Sequence, residues 1–394
     1  MDTPPGPSFS KEIEIALLCS GITIKDQDLE RVKYLCTQHI DWSFLKDLIV
    51  RNRVYAIVYH NLKPLKKSIP EGFLSELKEL AISTGTRNFM FTVFLQRLIA
   101  DFTRQGIFIL PFKGPVLAEH IYKDIIFRPF SDLDVLVDKS DAVAAFSLLK
   151  NRGLTPQFEL STVQFKKYIT DEDHFSFFEP QKKITVELHW DMAGLYLSRP
   201  LTVSGLKEHI TSGTLNNASI PCLSSEALLL YLCVHGAKHG WEHLEQICCI
   251  TEILNQNPDL DWGKIAKLSS DWQCRKMLFL GLHLAGKLFK APLPDPIRLT
   301  IHRDETILSI ADKITGHLFN PGLDQKKNLS DRFSSFHIHI RDSYTDKIRY
   351  ALRLLFRPTD KEWLYFPVPA YLSFVHYFLR PSRLLFCTLR GEDA

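Results

Sequence analysis

Arg128-Pro129-Phe130-Ser131-Asp132-Leu133-Asp134-Val135-Leu136-Val137, preceded by Leu110-Pro111-Phe112-Lys113-Gly114-Pro115, is the stretch on which the reading of this chain turns. Leu133 to Val137 reads as a strand, and two aspartates at i and i+2 on a strand project from one face. They open an apolar run, which puts them at the strand's end, beside a cleft. Two carboxylates held that close repel each other unless a cation lies between them. Mg²⁺ seeks oxygen ligands, keeps some of its waters and also takes phosphate oxygens. A third carboxylate on a neighbouring strand would complete such a cluster. Glu187, the single acid in the apolar run Ile184-Thr185-Val186-Glu187-Leu188-His189-Trp190, has that context. Asp132, Asp134 and Glu187 are therefore the candidate catalytic groups and metal ligands, for Mg²⁺ or Mn²⁺. An Asp-x-Asp pair alone is common in exposed turns. The weight rests on its company: strand, Lys-Gly turn, helix, Arg, Asp-x-Asp and a later strand-borne Glu, in that order.

Outward from this stretch, Ile107 to Leu110 reads as a short buried strand bounded by Gly106 and Pro111, and Val116 to Tyr122 as a helix. Ala142 to Asn151 is a second helix, ending at Gly153. Phe175 to Phe178 and Ile184 to His189 read as two strands joined by a turn at Pro180 to Lys183. Towards the N-terminus the pattern is helical, with Ser10 as a helix start, apolar faces at Leu45, Leu48 and Ile49 and at Leu74, Leu77 and Leu80, and a long helix over Thr86 to Arg104. Beyond Ser224, a plausible cap, helices return and run to about Lys290, and Gly316 to Ser330 reads as a loop. The expected organisation is a disordered tail over 1–9, a helical region over 10–95, a mixed α/β core over 96–222, a helical domain over 223–320 and an aromatic, basic helical extension over 321–394. The fold class is α+β (mixed α/β): a small sheet core flanked by helical regions.

The ordered motifs resemble the polymerase-β-like nucleotidyltransferase superfamily, and more closely its uncharacterised nucleotidyltransferase family. The resemblance is carried by Lys113, Gly114, Tyr122, Arg128, Ser131, Asp132, Asp134 and Val186 to Trp190, by Cys233 to Trp241, and by Phe378 to Arg383. It implies a nucleotidyltransferase-fold core that moves a nucleoside monophosphate from a triphosphate such as ATP to an acceptor hydroxyl or phosphate, releasing pyrophosphate. It assigns phosphate contact to Lys113, Gly114, Arg128 and Ser131. The superfamily's usual turn is Gly-Ser, with a hydroxyl and N–H groups for the terminal phosphates. Gly114-Pro115 lacks the hydroxyl and one N–H, so Lys113 is expected to serve as a point charge. Arg128 is expected either to neutralise phosphate or to pair with Asp132. The family's acid near Cys249 is replaced by Cys248-Cys249. Three other functions stay open: a transferase using a nucleotide-activated donor such as a nucleotide sugar, a nucleotidyltransferase toxin or regulator that modifies protein or RNA, and a non-catalytic nucleotide-binding protein.

His235, His239 and His243 are spaced to share one helical face, and His189 shares a strand face with Glu187. His189, His235 and His239 are candidates for the acceptor side of the cleft. Net charge is only +3 over 394 residues, which argues against a protein that coats nucleic acid and favours a small molecule, sugar or peptide acceptor. None of the eight cysteines forms a CxxC pair, so they read as reduced core thiols in a cytoplasmic protein. The start of the chain does not look like a signal peptide, and no apolar run is long enough to span a bilayer. The aromatic and basic tail, Trp363 to Phe366 and Tyr371 to Arg383, reads as packed onto the domain, with a partner-binding or membrane-surface amphipath as the alternative.

Overall fold

A computed structural model describes residues 9–320 and 335–390. The N-terminal region is helical, as its periodicity implies, with helices Lys11–Leu18, Asp26–Cys36, Trp42–Arg51 and Tyr55–Leu62. Ser10 caps the first of them by accepting from the Ile13 N–H. Phe9, placed by sequence at the end of the tail, instead packs edge-on against Phe319 with ring centroids 5.3 Å apart. The two apolar faces read separately at Leu74–Leu80 and beyond Thr86 belong to one helix of 34 residues, Glu71–Arg104. Its buried positions Leu77, Ala81, Thr84, Asn88, Phe91, Leu95, Leu98 and Phe102 keep the three-to-four spacing of a single stripe.

The core sheet has five strands: β1 (Ile109–Pro111), β2 (Asp132–Val137), β3 (Thr155–Pro156), β4 (His174–Glu179) and β5 (Ile184–His189). Their spatial order is β1-β2-β5-β4-β3. β2 and β5 run parallel at the centre, while β1 pairs antiparallel with β2 and β4 with β5. Strand periodicity then divides the side chains. Leu133, Val135, Val186, Leu188, Phe175 and Phe177 point to one face and join a core with helices Ala142–Asn151 and Thr162–Asp171. Phe146 and Phe165 of those helices lie 5.4 and 5.6 Å from the Phe175 ring. The other face carries Leu110 and Leu136, cross-strand partners that join the larger helical core, and beside them the polar residues of the site.

A second hairpin, β6 (Ile210–Leu215) and β7 (Ala218–Leu223), follows the sheet. Ser224 then caps helix Ser225–Lys238, whose Tyr231 packs on Phe112 at 5.5 Å. Helices Leu244–Gln256, Trp262–Asp271 and Arg275–Phe289 surround it. The loop expected from Gly316 is helical as far as Phe319, the end of helix Glu305–Phe319; the rest of that segment, like the tail over 1–8, lies outside the described residues. The C-terminal part comprises helices Tyr344–Phe356, Asp360–Tyr365 and His376–Arg390. Trp363 anchors it in the sheet-side core, 5.7 Å from Tyr168. All eight cysteines are buried and free.

Candidate active site

The parallel pairing of β2 with β5 sets Asp134 directly beside Glu187, and a parallel pair keeps opposed residues on one face. His189, two residues further along β5, returns to the same face. Its Nε2 lies 3.2 Å from Asp134 Oδ1 and 3.2 Å from Glu187 Oε2. One ligand atom from each of Asp134, Glu187 and His189 lies within 4.8 Å of the other two. Asp132 shares the face but is more exposed and falls outside this tight set. The structure thus sets Asp134, Glu187 and His189 together on the face expected for the acids, with Asp132 at its more open end.

Lys113 is delivered from the other side. β1 ends at Pro111, the Phe112 N–H donates to the Asp134 carbonyl (3.3 Å), and the chain then turns at Gly114. Gly114 has φ +55°, and a Cβ there would sit 3.1 Å from the Asp132 carbonyl oxygen. Both facts demand glycine. The turn aims Lys113 across β2, where its Nζ donates to Asp134 Oδ1 at 2.7 Å. Burial opposes the ammonium charge, but Asp134, with Tyr231 and Glu187 nearby, raises the Lys113 pKa. Burial likewise opposes the Asp134 carboxylate, yet Lys113 and His189 hold it well below the usual range. Glu187 is also lowered, mainly by His189 acting against burial. Asp132 behaves oppositely: burial and the charge of Asp134 push it up to about 6.

This arrangement is unfinished in one respect. Asp134 Oδ2 and His189 Nδ1 are buried without a hydrogen-bond partner. Buried polar atoms are nearly always paired, so an orphan needs a reason. Two carboxylates and an imidazole this close together, one carboxylate keeping an unpaired buried oxygen, are a donor set that could hold a divalent cation.

The sequence reading missed Asp173 and His174. β4 pairs His174 opposite His189, and the two rings stack at 4.9 Å. His174 Nδ1 lies 3.6 Å from Asp173 Oδ2, and Asp173, His174 and His189 form a second group with ligand atoms within 4.8 Å. The signal was an Asp-His pair entering an apolar strand. His235 and His239 approach from helix Ser225–Lys238, their rings 4.6 Å apart, with Tyr231 stacked 6.0 Å from His235. Burial, then the charge of Lys113, holds His235 well below its ordinary value; burial and Lys238 push His239 down to about 3. The shared helical face does not extend to His243. The helix stops at Lys238, Trp241 takes φ +56°, and His243 is the N-cap of helix Leu244–Gln256.

Arg128 does not pair with Asp132. Its Nε donates to Glu245 Oε1 at 2.6 Å in a buried pair, and the Cys249 thiol donates to the same oxygen at 3.0 Å. Asn88 closes the corner by donating to the Arg128 carbonyl at 2.9 Å. Glu245, one turn before Cys249, is the acid that faces Arg128. Ser131 is exposed immediately before β2, and the Tyr122 hydroxyl is buried 3.6 Å from Cys249 Sγ.

No significant match is found among curated proteins or among solved structures. A family model does match, over residues 38–290, a span that includes the long helix, the whole sheet and the histidine-bearing helix. With that match laid over an Asp-x-Asp strand, a paired glutamate and a lysine-glycine turn, the chain belongs to the uncharacterised nucleotidyltransferase family.

Proposed function

We propose that this protein is a metal-dependent nucleotidyltransferase that moves a nucleoside monophosphate from a triphosphate to an acceptor hydroxyl or phosphate. The observation that carries the reading is the convergence of Asp134, Glu187 and His189, one ligand atom of each within 4.8 Å of the others, on a carboxylate whose second oxygen is buried without a partner. Asp134 and Glu187 would hold Mg²⁺ or Mn²⁺ together with the His189 imidazole, a nitrogen ligand that suits Mn²⁺ better than Mg²⁺. When bound, the cation supplies positive charge for the triphosphate oxygens and the departing pyrophosphate. Asp132, at the more open end of the same face, adds a further carboxylate.

The remaining work falls to the chain itself. Lys113 offers its ammonium to a terminal phosphate, compensating for the N–H that Pro115 lacks, while Gly114 allows the tight turn that aims it and Ser131 offers an exposed hydroxyl beside it. The acceptor oxygen attacks the α-phosphorus, the bond to the bridging oxygen breaks, and pyrophosphate leaves. Glu187, held anionic, takes the acceptor proton. His235 and His239, kept neutral, line the acceptor side with groups that can hydrogen-bond a hydroxyl without adding charge. Arg128, already committed to Glu245, acts by fixing the segment that leads into β2. The nearly neutral chain favours a small molecule, sugar or peptide as acceptor over a long nucleic acid.

The test is to incubate the protein with each nucleoside triphosphate, Mg²⁺ or Mn²⁺ and a metabolite extract, and to follow products by mass spectrometry. Metal-dependent pyrophosphate release with a product heavier by one nucleotide is expected. Transfer of the non-nucleotide half of an activated donor, or tight nucleotide binding with no turnover, would overturn the proposal.

A further inference from the structure

The C-terminal helices turn their apolar sides outward. Along helix Tyr344–Phe356 the buried positions are Asp346, Tyr350 and Leu354. Tyr344, Ile348, Leu352 and Leu355 lie on the opposite side with helical spacing, and all are exposed, Tyr344 at 82%. Helix His376–Arg390 packs against it and repeats the inversion. His376, Arg380, Leu384 and Cys387 point inward, while Phe378 is 71% exposed. Between the two helices Tyr371 stands 78% exposed. A contiguous apolar surface of this kind marks a contact site.

Charge identifies what the face contacts. Between Tyr344 and Arg390 there are eight Lys and Arg residues against three Asp and Glu. The three acids are engaged within the protein: Asp346 accepts from Ser198, Asp360 from Tyr168, and Glu362 is buried against Arg383. Lys347 and Arg349 flank Ile348 on the outer stripe. Beside Leu352 and Phe356 opens a cavity of about 580 Å³, lined by the cations Lys139, Arg353 and Arg357 and by the carboxylates Glu172 and Asp191. Arg353 donates to the Leu197 and Ser198 carbonyls and Arg357 to that of Asp171. These acceptors are neutral, but Asp191 and Asp346 also act on Arg353, so the cavity's charge is partly balanced within the protein and the exposed cation of the outer stripe is Arg349. No helix among the described residues is long and apolar enough to cross a membrane. An apolar stripe flanked by cations is instead the pattern of a helix lying in the plane of an anionic bilayer.

We propose that this face docks the protein on the surface of an anionic lipid bilayer, the outer stripe entering the headgroup boundary with Lys347 and Arg349 beside the lipid phosphates. The inference stands apart from the catalytic reading, because it uses none of the residues placed in the active site.

Flotation of the full chain with phosphatidylcholine vesicles, with and without phosphatidylglycerol, tests it. Binding is expected only with phosphatidylglycerol, and it should weaken as salt is raised. The triple variant Ile348→Glu/Leu352→Glu/Phe378→Glu should lose at least about tenfold in binding, and Arg349→Glu alone several-fold, with thermal melting unchanged in the latter. No binding at low salt, equal binding to both vesicles, or wild-type binding by both variants overturns the proposal. So does concentration-dependent self-association that the triple variant abolishes, which would give the face to a second copy of this chain.

Discussion

Two buried cation–carboxylate pairs lie near each other in this protein, Arg128–Glu245 and Lys113–Asp134, and they differ in how completely they are satisfied. In the first, the Cys249 thiol adds a donor to the carboxylate and Asn88 secures the arginine's own carbonyl. In the second, Lys113 and His189 share one oxygen of Asp134 while the other has no partner. A satisfied buried pair holds a fold together, and breaking it by removing one partner is strongly destabilising. A pair left open is a site for something else. Both sit on motif residues, so sequence alone ranked Arg128 with the phosphate ligands, whereas its contacts give it a positioning task.

The largest expected effect is on turnover at the open pair. Asp134→Asn keeps the size of the side chain but cannot neutralise a dication beside a triphosphate. It should lower metal-dependent turnover by about a thousandfold or more. The stabilisation of wild type by metal plus triphosphate in thermal melting should vanish with it. A repulsion argument from the two aspartates would expect the metal-free variant to be more stable. The contact with Lys113 reverses that expectation, because the substitution leaves a buried ammonium without its partner. Retained turnover would show that the open pair is structural after all.

Glu245→Gln tests the closed pair. It should cost roughly 3–5 kcal/mol in urea unfolding, because Arg128 is left charged and buried. The double variant Arg128→Met/Glu245→Leu should recover much of that loss, and nucleotide affinity in the folded fraction should be unchanged. If Arg128→Met instead keeps its stability and loses triphosphate affinity, Arg128 is a phosphate ligand and the contrast between the pairs fails.

How much of this was legible beforehand follows from what each feature depends on. The face of β2 that carries Asp132 and Asp134, and the return of Glu187 and His189 to one face of β5, need only a period of two, which the sequence displays. That Asp134 and Glu187 lie side by side needs the parallel register of β2 with β5, which the alternation within either strand does not fix. The opposition of His174 to His189 depends on the length and geometry of the β4–β5 turn, so it escaped notice although both residues were in view. The partner of Arg128 lies 117 residues away, a separation at which no local pattern speaks. The β6–β7 hairpin did leave a local mark. Asn216 and Asn217 both take positive φ (47° and 63°), the two-residue turn that asparagine favours. The break before His243 was marked only by Gly240, and the left-handed residue that follows is Trp241, an unusual choice for such a position.

Lys113 links the two states of the open pair. Its ammonium donates to Asp134 Oδ1, so its charge opposes a cation held by the same carboxylate. Lys113→Ala should therefore tighten Mn²⁺ binding in the absence of nucleotide, by about tenfold if the competing contact is worth roughly 1–1.5 kcal/mol. The same substitution should weaken triphosphate binding, because the point charge for the phosphates is gone. Calorimetry with metal alone and then with triphosphate separates the two effects. A loss in both would make Lys113 a support of the carboxylates rather than their competitor.

The smallest effect concerns the histidine side of the cleft and is a pH dependence. Burial and Lys238 hold His239 down at about 3, against an ordinary value near 6.5. In the unfolded chain His239 takes up a proton as pH falls through about 6.5, while in the folded protein it does not until about 3. Between those values the unfolded state binds more protons, so stability falls as pH falls. His235 is held low for the same leading reason and adds in the same direction. His239→Gln removes one of these titrations and keeps a polar group of similar reach. Its stability should fall less steeply than that of wild type as pH is lowered from about 6.5, with little difference above pH 7.5. Urea unfolding across that range, with metal absent, measures both slopes. Parallel slopes would mean that His239 is protonated in the folded protein. A charged imidazole would then face Lys113 across the cleft, and the neutral acceptor side proposed for His235 and His239 would be wrong.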